Sequence, residues 1–161
     1  MNIFDEIYNE VLTRIRAASF YGSGGDKIRR GNVIEHSIEE TVKELSSSAD
    51  YPKIEARYIS VAADGATSNA AKYKATIKLI VRTGDNTYQT RLTPIMAEIL
   101  QIADSMRWWR GTFADGYVFG SDNTGISNIG KYYDDNGGDQ ISGWAFEIDL
   151  IFGIAINHIE R

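Results

Sequence analysis

Cysteine is absent from the sequence. That excludes disulfides, thiolate metal sites and a cysteine nucleophile, and it favours an intracellular folding compartment. Histidine is nearly absent too: His36 and His158 stand far apart, and neither belongs to an H-E-x-x-H zinc pattern. The chain has no G-x-S-x-G elbow. It has no run of about 18 uninterrupted apolar residues, so no membrane span is expected. The opening MNIFDEIYNE places acids where a secretory leader would carry bases. Base is in deficit overall: 17 Lys and Arg against 22 Asp and Glu give a net charge of -5, which argues against broad nucleic-acid binding. Such a balance suits a surface past which DNA slides without sticking. With 43% hydrophobic and 24% charged residues, the 161-residue chain reads as one globular domain, 1–161, able to bury its own core.

The strongest pattern present is the stretch Gly143–His158. Trp144, Phe146, Ile148, Leu150, Phe152, Ile154 and Ile156 alternate with Ala145, Glu147, Asp149, Ile151, Gly153, Ala155 and Asn157. This is a long strand with one face on a core. Fully extended it would run on the order of 45–50 Å, beyond the about 40 Å diameter of a compact domain of this size. It is therefore expected to bend at Gly153 or to run past the body.

An amphipathic helix is predicted over Ile3–Ala17, with Phe4, Ile7, Tyr8, Val11, Leu12 and Ile15 on one stripe. Asn2 is its cap, Asp5 and Glu6 occupy the first turn, and Arg14 and Arg16 the last. Ser19–Asn32 combines four glycines with Lys27, Arg29 and Arg30, but lacks a phosphate-loop spacing. It reads as a surface loop of the kind a partner orders. A short helix follows over Ile38–Ser46, with Ser37 and Glu40 as a capping box.

Strands are predicted over Lys53–Ala63 and Ala71–Thr83, joined as a hairpin through Asp64, Gly65 and the small residues to Ala70. In the first, Ile59 and Val61 share one face and Ile54 and Tyr58 the other. In the second, Tyr73, Ala75, Ile77, Leu79 and Val81 face one way. Lys74 and Lys78, on its outward face, are charge-matched to Glu147 and Asp149 if the strands are neighbours, and plain solvated lysines otherwise. After a turn at Gly84-Asp85-Asn86, a helix is expected from Thr93 as cap and Pro94 as first helical residue to about Trp108. Of the adjacent Trp108 and Trp109, one is expected at a surface or interface, because both cannot enter one helix–sheet seam.

Gly111–Gly138 reads as short strands at Gly116–Phe119 and Ile126–Tyr133, with turns at Ser121–Gly125 and Asp134–Gly138. Asp134, Asp135, Asn136 and Asp139 lack calcium-loop spacing and read as a hairpin turn. Asp115 and Asp122 are carboxylates that could in principle form an acid–base pair, though nothing in their spacing favours this over loop solvation. The fold class expected is α+β: a mixed or mainly antiparallel sheet with a long C-terminal strand, and helices packed mostly on one face.

The order of elements resembles the tail terminator (tail completion) proteins of long-tailed bacteriophages. The likeness is carried by Ile3-Phe4-Asp5-Glu6-Ile7, the Ala71–Thr83 strand, the Ile95–Arg107 helix and the ending Gly143-Trp144-Ala145-Phe146-Glu147-Ile148-Asp149-Leu150. The resemblance implies a structural, non-enzymatic protein without cofactor or metal. Six copies would ring the end of the tail tube, stop its polymerisation and present a docking surface to the head–tail connector, with DNA passing the lumen unbound. Its place would be the head-proximal end of the virion tail, after assembly in the host cytoplasm. Candidate contacts with a neighbouring subunit or the tube are Lys27, Arg29, Arg30, Trp108, Trp109, Asp134 and Asp135. Another phage neck or head-completion protein, or a small cytoplasmic bacterial binding module, is the alternative.

Overall fold

The structure is a computed structural model. It describes residues 2–18, 33–35, 53–82, 92–136 and 139–159, and the backbone alone of 33–35, 53, 132–136 and 139–142. The basic loop with Lys27, Arg29 and Arg30, the helix expected over Ile38–Ser46, His36 and the Gly84-Asp85-Asn86 turn lie outside the described residues.

The fold is α+β. Helix α1 (Ile3–Arg16) is followed by strands β1 (Val33–Glu35), β2 (Lys53–Ala66) and β3 (Ala70–Arg82). Helix α2 (Thr93–Met106) then leads to β4 (Gly111–Thr112), β5 (Gly116–Asn136) and β6 (Asp139–Asn157). The strands form one sheet in the order β1-β2-β3-β6-β5-β4. Every pairing is antiparallel except the short β1–β2 pair, which is parallel.

The predicted alternation in β6 is the observed one. Phe146, Ile148, Leu150, Phe152 and Ile154 are buried beneath the helices, and Trp144 and Ile156 pack at the margins. Opposite them in β3, Ala75, Ile77, Leu79 and Val81 face the same core. Both helices cover this one face: Ile3, Ile7, Val11, Leu12 and Ile15 of α1 join Ile95, Ile99, Ala103 and Met106 of α2 in a single cluster with the strand residues. Helix α1 starts as expected, with the Asn2 side chain accepting from the Asp5 amide at 3.0 Å. A second anchor comes from far along the chain, where Asp115 Oδ2 accepts the Ile3 amide at 3.2 Å. Tyrosines then fix the helix to β2: Tyr8 donates to the Ala56 carbonyl at 2.6 Å and Tyr58 to the Phe4 carbonyl at 2.7 Å.

Several expectations are corrected. Thr93 is the first helical residue and not the cap; Leu92 takes that position with no side-chain cap, and the helix stops at Met106. In β2 the register shifts between Tyr58 and Ser60, so Ile59 is bulged out and Val61, opposite inward Ala75, falls on the same face as Ile54 and Tyr58. A strict period of 2 cannot anticipate an inserted residue. The hairpin to β3 is tighter than predicted, because β2 continues through Asp64 and Gly65 to Ala66. β6 stays paired at Gly153, to Lys74 on one side and on the other to Gly120, next to a bulge in β5. A Cβ at Gly153 would lie 2.7 Å from the Phe119 ring, which would have to move.

The largest correction concerns β5. Ser121–Gly125 is not a turn, and Gly116–Asn136 is one strand that follows β6 throughout. The turn-forming residues are absorbed as irregularities between Val118 and Gly120, Asn123 and Ile126, and Ser127 and Gly130. Gly125 and Asn128 take positive φ of 72° and 54°. Where the ladder is broken, side chains replace it: Thr124 Oγ1 accepts the Asp149 amide at 3.2 Å, and Asn123 Oδ1 the Gly125 amide at 2.9 Å. Similarly, Asp134 and Asp135 are not turn residues but strand residues opposite Ile141 and Gln140.

These assignments separate two kinds of cost. Phe152→Ala removes a fully buried ring from the centre of the core and should lower the unfolding free energy by about 3–5 kcal/mol. Gly125→Ala adds a Cβ that meets open space, so its loss of about 1–2 kcal/mol should come from the left-handed backbone alone. Urea denaturation of both variants measures this; a Gly125→Ala protein as stable as the parent would remove the strained bulge from the account.

Candidate interaction surfaces

The sheet face away from the helices carries the charge. Lys78 lies opposite Asp149, and its ammonium reaches Glu147 Oε2 at 3.2 Å and Asp149 Oδ1 at 3.9 Å. The charge match expected from sequence is therefore present for Lys78. It fails for Lys74, which the register sets opposite Gly153. Glu147 also accepts from Asn128 Nδ2 at 2.8 Å. That hydrogen bond first, then the Lys78 ammonium and Arg57, holds the Glu147 carboxyl below the usual carboxylate range, against the opposing effect of burial. Asn128 enters this site because the neighbouring bulge gives it a left-handed backbone. At the β2 end of the same face, Arg82 pairs with Glu55, the one buried charged residue among those described.

A second cluster sits on the helix side. Tyr58 is wedged between Phe4, in edge-on contact at 5.7 Å, and Tyr8. Burial, followed by the nearby Asp5 carboxylate, pushes its phenol well above the ordinary tyrosine range. With its hydroxyl donating to a carbonyl, this group holds α1 on the sheet.

The tryptophan pair divides as expected. Trp109 is half-buried, edge-on to Phe152 at 6.2 Å and beside Phe113 at 6.4 Å. Trp108 is 76% exposed, the larger of the two described aromatic surfaces at the end of α2. Next to it, Arg107 reaches Asp122 of β5 at 3.7 Å. Asp115 and Asp122, two of the carboxylates considered for acid–base work, are not brought together. They stand seven positions apart along extended backbone, roughly 20 Å. One caps α1 and the other meets Arg107. His158 Nε2 lies 3.2 Å from the Thr67 carbonyl, at the β2–β3 turn. Among the described residues no group of three or more His, Asp or Glu is placed to hold a metal ion, and no helix is long and apolar enough to cross a membrane.

Among the described residues, the β5–β6 hairpin is paired over a longer stretch than β6 is with β3. Pairing of β6 with β3 ends at Ala145 opposite Arg82, whereas pairing with β5 continues from Lys131–Trp144 to Asn136–Asp139. Among the described residues this arm has no third strand beside it. Asp134 and Asp135 belong to the arm, and Lys131 lies over the Trp144 ring at 5.5 Å at its base. The length of this arm escaped sequence reading because its turn-rich composition masked the strand. The available signal was β6 itself, since a strand of that length calls for a partner of matching length on at least one side. The chain matches no protein-family model and no curated protein.

The Lys78–Glu147–Asn128 site has a signed pH dependence. A carboxyl depressed on folding adds stability that is present above the ordinary glutamate range and is lost as pH falls through the folded value. Glu147→Gln should therefore cost about 1 kcal/mol near neutrality. The gap between parent and variant should close as pH drops below about 4. Denaturation at a series of pH values checks this; a gap that persists or widens in acid would show that Glu147 is not held ionised by its partners.

Proposed function

We propose that the chain is a ring-forming assembly protein of the tail terminator type. It caps the tail tube of a long-tailed bacteriophage, stops tube growth and offers the next surface to the head–tail connector. The observation that carries this reading is the long β5–β6 hairpin, whose pairing continues past Ala145, the last β6 residue paired to β3 among the described residues. A long hairpin of this kind offers a contact to a neighbouring copy and to a tube. Further support comes from the α+β outline with its one-sided helices, the exposed Trp108 and the net negative charge, which suits a lumen that passes DNA. On this reading Trp108, Asp134 and Asp135 belong to contacts, Trp109 belongs to the core margin, and the protein performs no chemistry. The ring has six copies in this proposal.

Light scattering of the purified protein, alone and then with uncapped tail tubes of the same phage, tests the reading. The expected outcome is a ring in solution, or a monomer that saturates tube ends and halts their growth. A monomer that ignores tube ends at high concentration would overturn it.

A further inference from the structure

Among the described residues the sheet has two strand edges without a strand beside them, one on each side. On one side β1 covers β2 only at Ile54, Glu55 and Ala56, so Arg57–Ala66 has no strand beside it among the described residues. On the other, β4 covers β5 only at Tyr117 and Val118, leaving Phe119–Asn136 open in the same sense. Unpaired edges are templates for pairing with another chain, and soluble proteins usually blunt them with lysine, proline or burial. The β2 edge carries no lysine or proline: it reads RYISVAADGA, with Arg57, Asp64 and two bulges as its guards, and Ile59 and Val61 are 43% and 47% exposed. Beside the β5 edge, Ile129 is 45% exposed, and Arg107 at the end of α2 reaches Asp122 of this strand.

The directions of the strands make the two edges complementary. β2 runs antiparallel to β3, β3 to β6, and β6 to β5, so β5 and β2 point in opposite senses. A second copy placed in the same orientation would therefore set its β2 antiparallel to β5 and continue the alternation unbroken. Its polar face would also stay on one side, because Ala62, opposite Lys74, and Ser127, opposite Glu147, both lie on the face away from the helices.

We infer that copies of this chain join head to tail by pairing the β2 edge of one with the β5 edge of the next, forming a sheet that is continuous across subunits. A two-fold dimer would satisfy one edge and leave the other open; the head-to-tail contact satisfies both, and it closes into a ring when the rotation between copies permits. The bulges on both strands raise local twist, which turns each added copy relative to the last. The inference rests on the ring reading and names its interface.

The absence of native cysteine makes the test clean. Ala62→Cys and Ser127→Cys place thiols at exposed positions on the two edges. The double variant, assembled in solution or on tube ends and treated with a short bis-maleimide, should give a ladder of cross-linked species up to the complete ring. Each single variant should give monomer. Assembly without the mixed cross-link, or cross-linked dimers from a single variant, would overturn the edge pairing and leave the ring standing. No assembly in either setting would remove the ring reading, and the edge pairing with it. Independently, Val61→Lys should keep the monomer folded and raise the concentration for half-assembly at least about tenfold. Unchanged assembly by a folded Val61→Lys protein would also overturn the inference.

Discussion

A strand buried in the middle of a sheet must find partners for its backbone on both sides, along all of its length. β6 imposes that condition over Ala145–Asn157, where it has a strand on each side, and most of the structure answers to it. β3 satisfies one side from Arg82 to Ala70, and β5 the other from Asn136 to Gly116. For β5 to keep pace with β6, a stretch full of Asp, Asn, Ser and Gly has to remain extended. It does so by absorbing extra residues in bulges, two of which place Gly125 and Asn128 in left-handed backbone, while Thr124 and Asn123 side chains accept amide hydrogens that the ladder would otherwise leave bare. Local turn preference is present in the sequence, but a neighbouring strand that must be paired overrides it.

The same sheet separates two kinds of physics on its faces. Toward the helices the contacts are apolar, and their few polar links are specific. Tyr8 and Tyr58 donate to backbone carbonyls, and Asp115 accepts from the first turn of α1 over a sequence distance of more than a hundred residues. That last contact ties the helix start to the entry of β5, so the amino-terminal helix is fixed at the side of the sheet where β4 and β5 begin. On the other face Lys78 is shared between Glu147 and Asp149, and Arg82 meets Glu55. Such pairs at part-buried positions contribute modestly to stability but set register, since a slip of one residue would put every charge on the core side.

How much of this was legible in the sequence depends on the range of the interaction. The cap and stripe of α1, the alternation of β3 and β6, and the division of labour between Trp108 and Trp109 follow from patterns within one element, and all appear as read. The pairing of Lys78 with Glu147 and Asp149 was legible as charge complementarity, while the fate of Lys74 was not, because register alone decides that it meets Gly153. The bulge at Ile59, the extension of β2 to Ala66 and the continuity of β5 depend on partner strands, and no window of local sequence contains them. For the candidate contact residues, sequence chemistry singled out aromatics and charges. The strand edges that lack a partner among the described residues are not legible, because composition does not record which backbone has a neighbour.

The distribution of satisfied groups bears on how such a subunit would meet others. Its polar face already pairs much of its own charge: Lys78 with two carboxylates, Glu147 with two donors, Arg82 with Glu55. A partner drawn to that face by charge would have to displace these contacts, which costs roughly what it gains. The core face is covered by two helices. What remains is the perimeter, where backbone groups of β2 and β5 lack strand partners among the described residues and apolar side chains stand exposed beside them. Association through the perimeter leaves both faces undisturbed and adds hydrogen bonds without breaking any inside the subunit. A fold organised in this way can enlarge its sheet sideways while keeping the packing that each copy needs to fold alone.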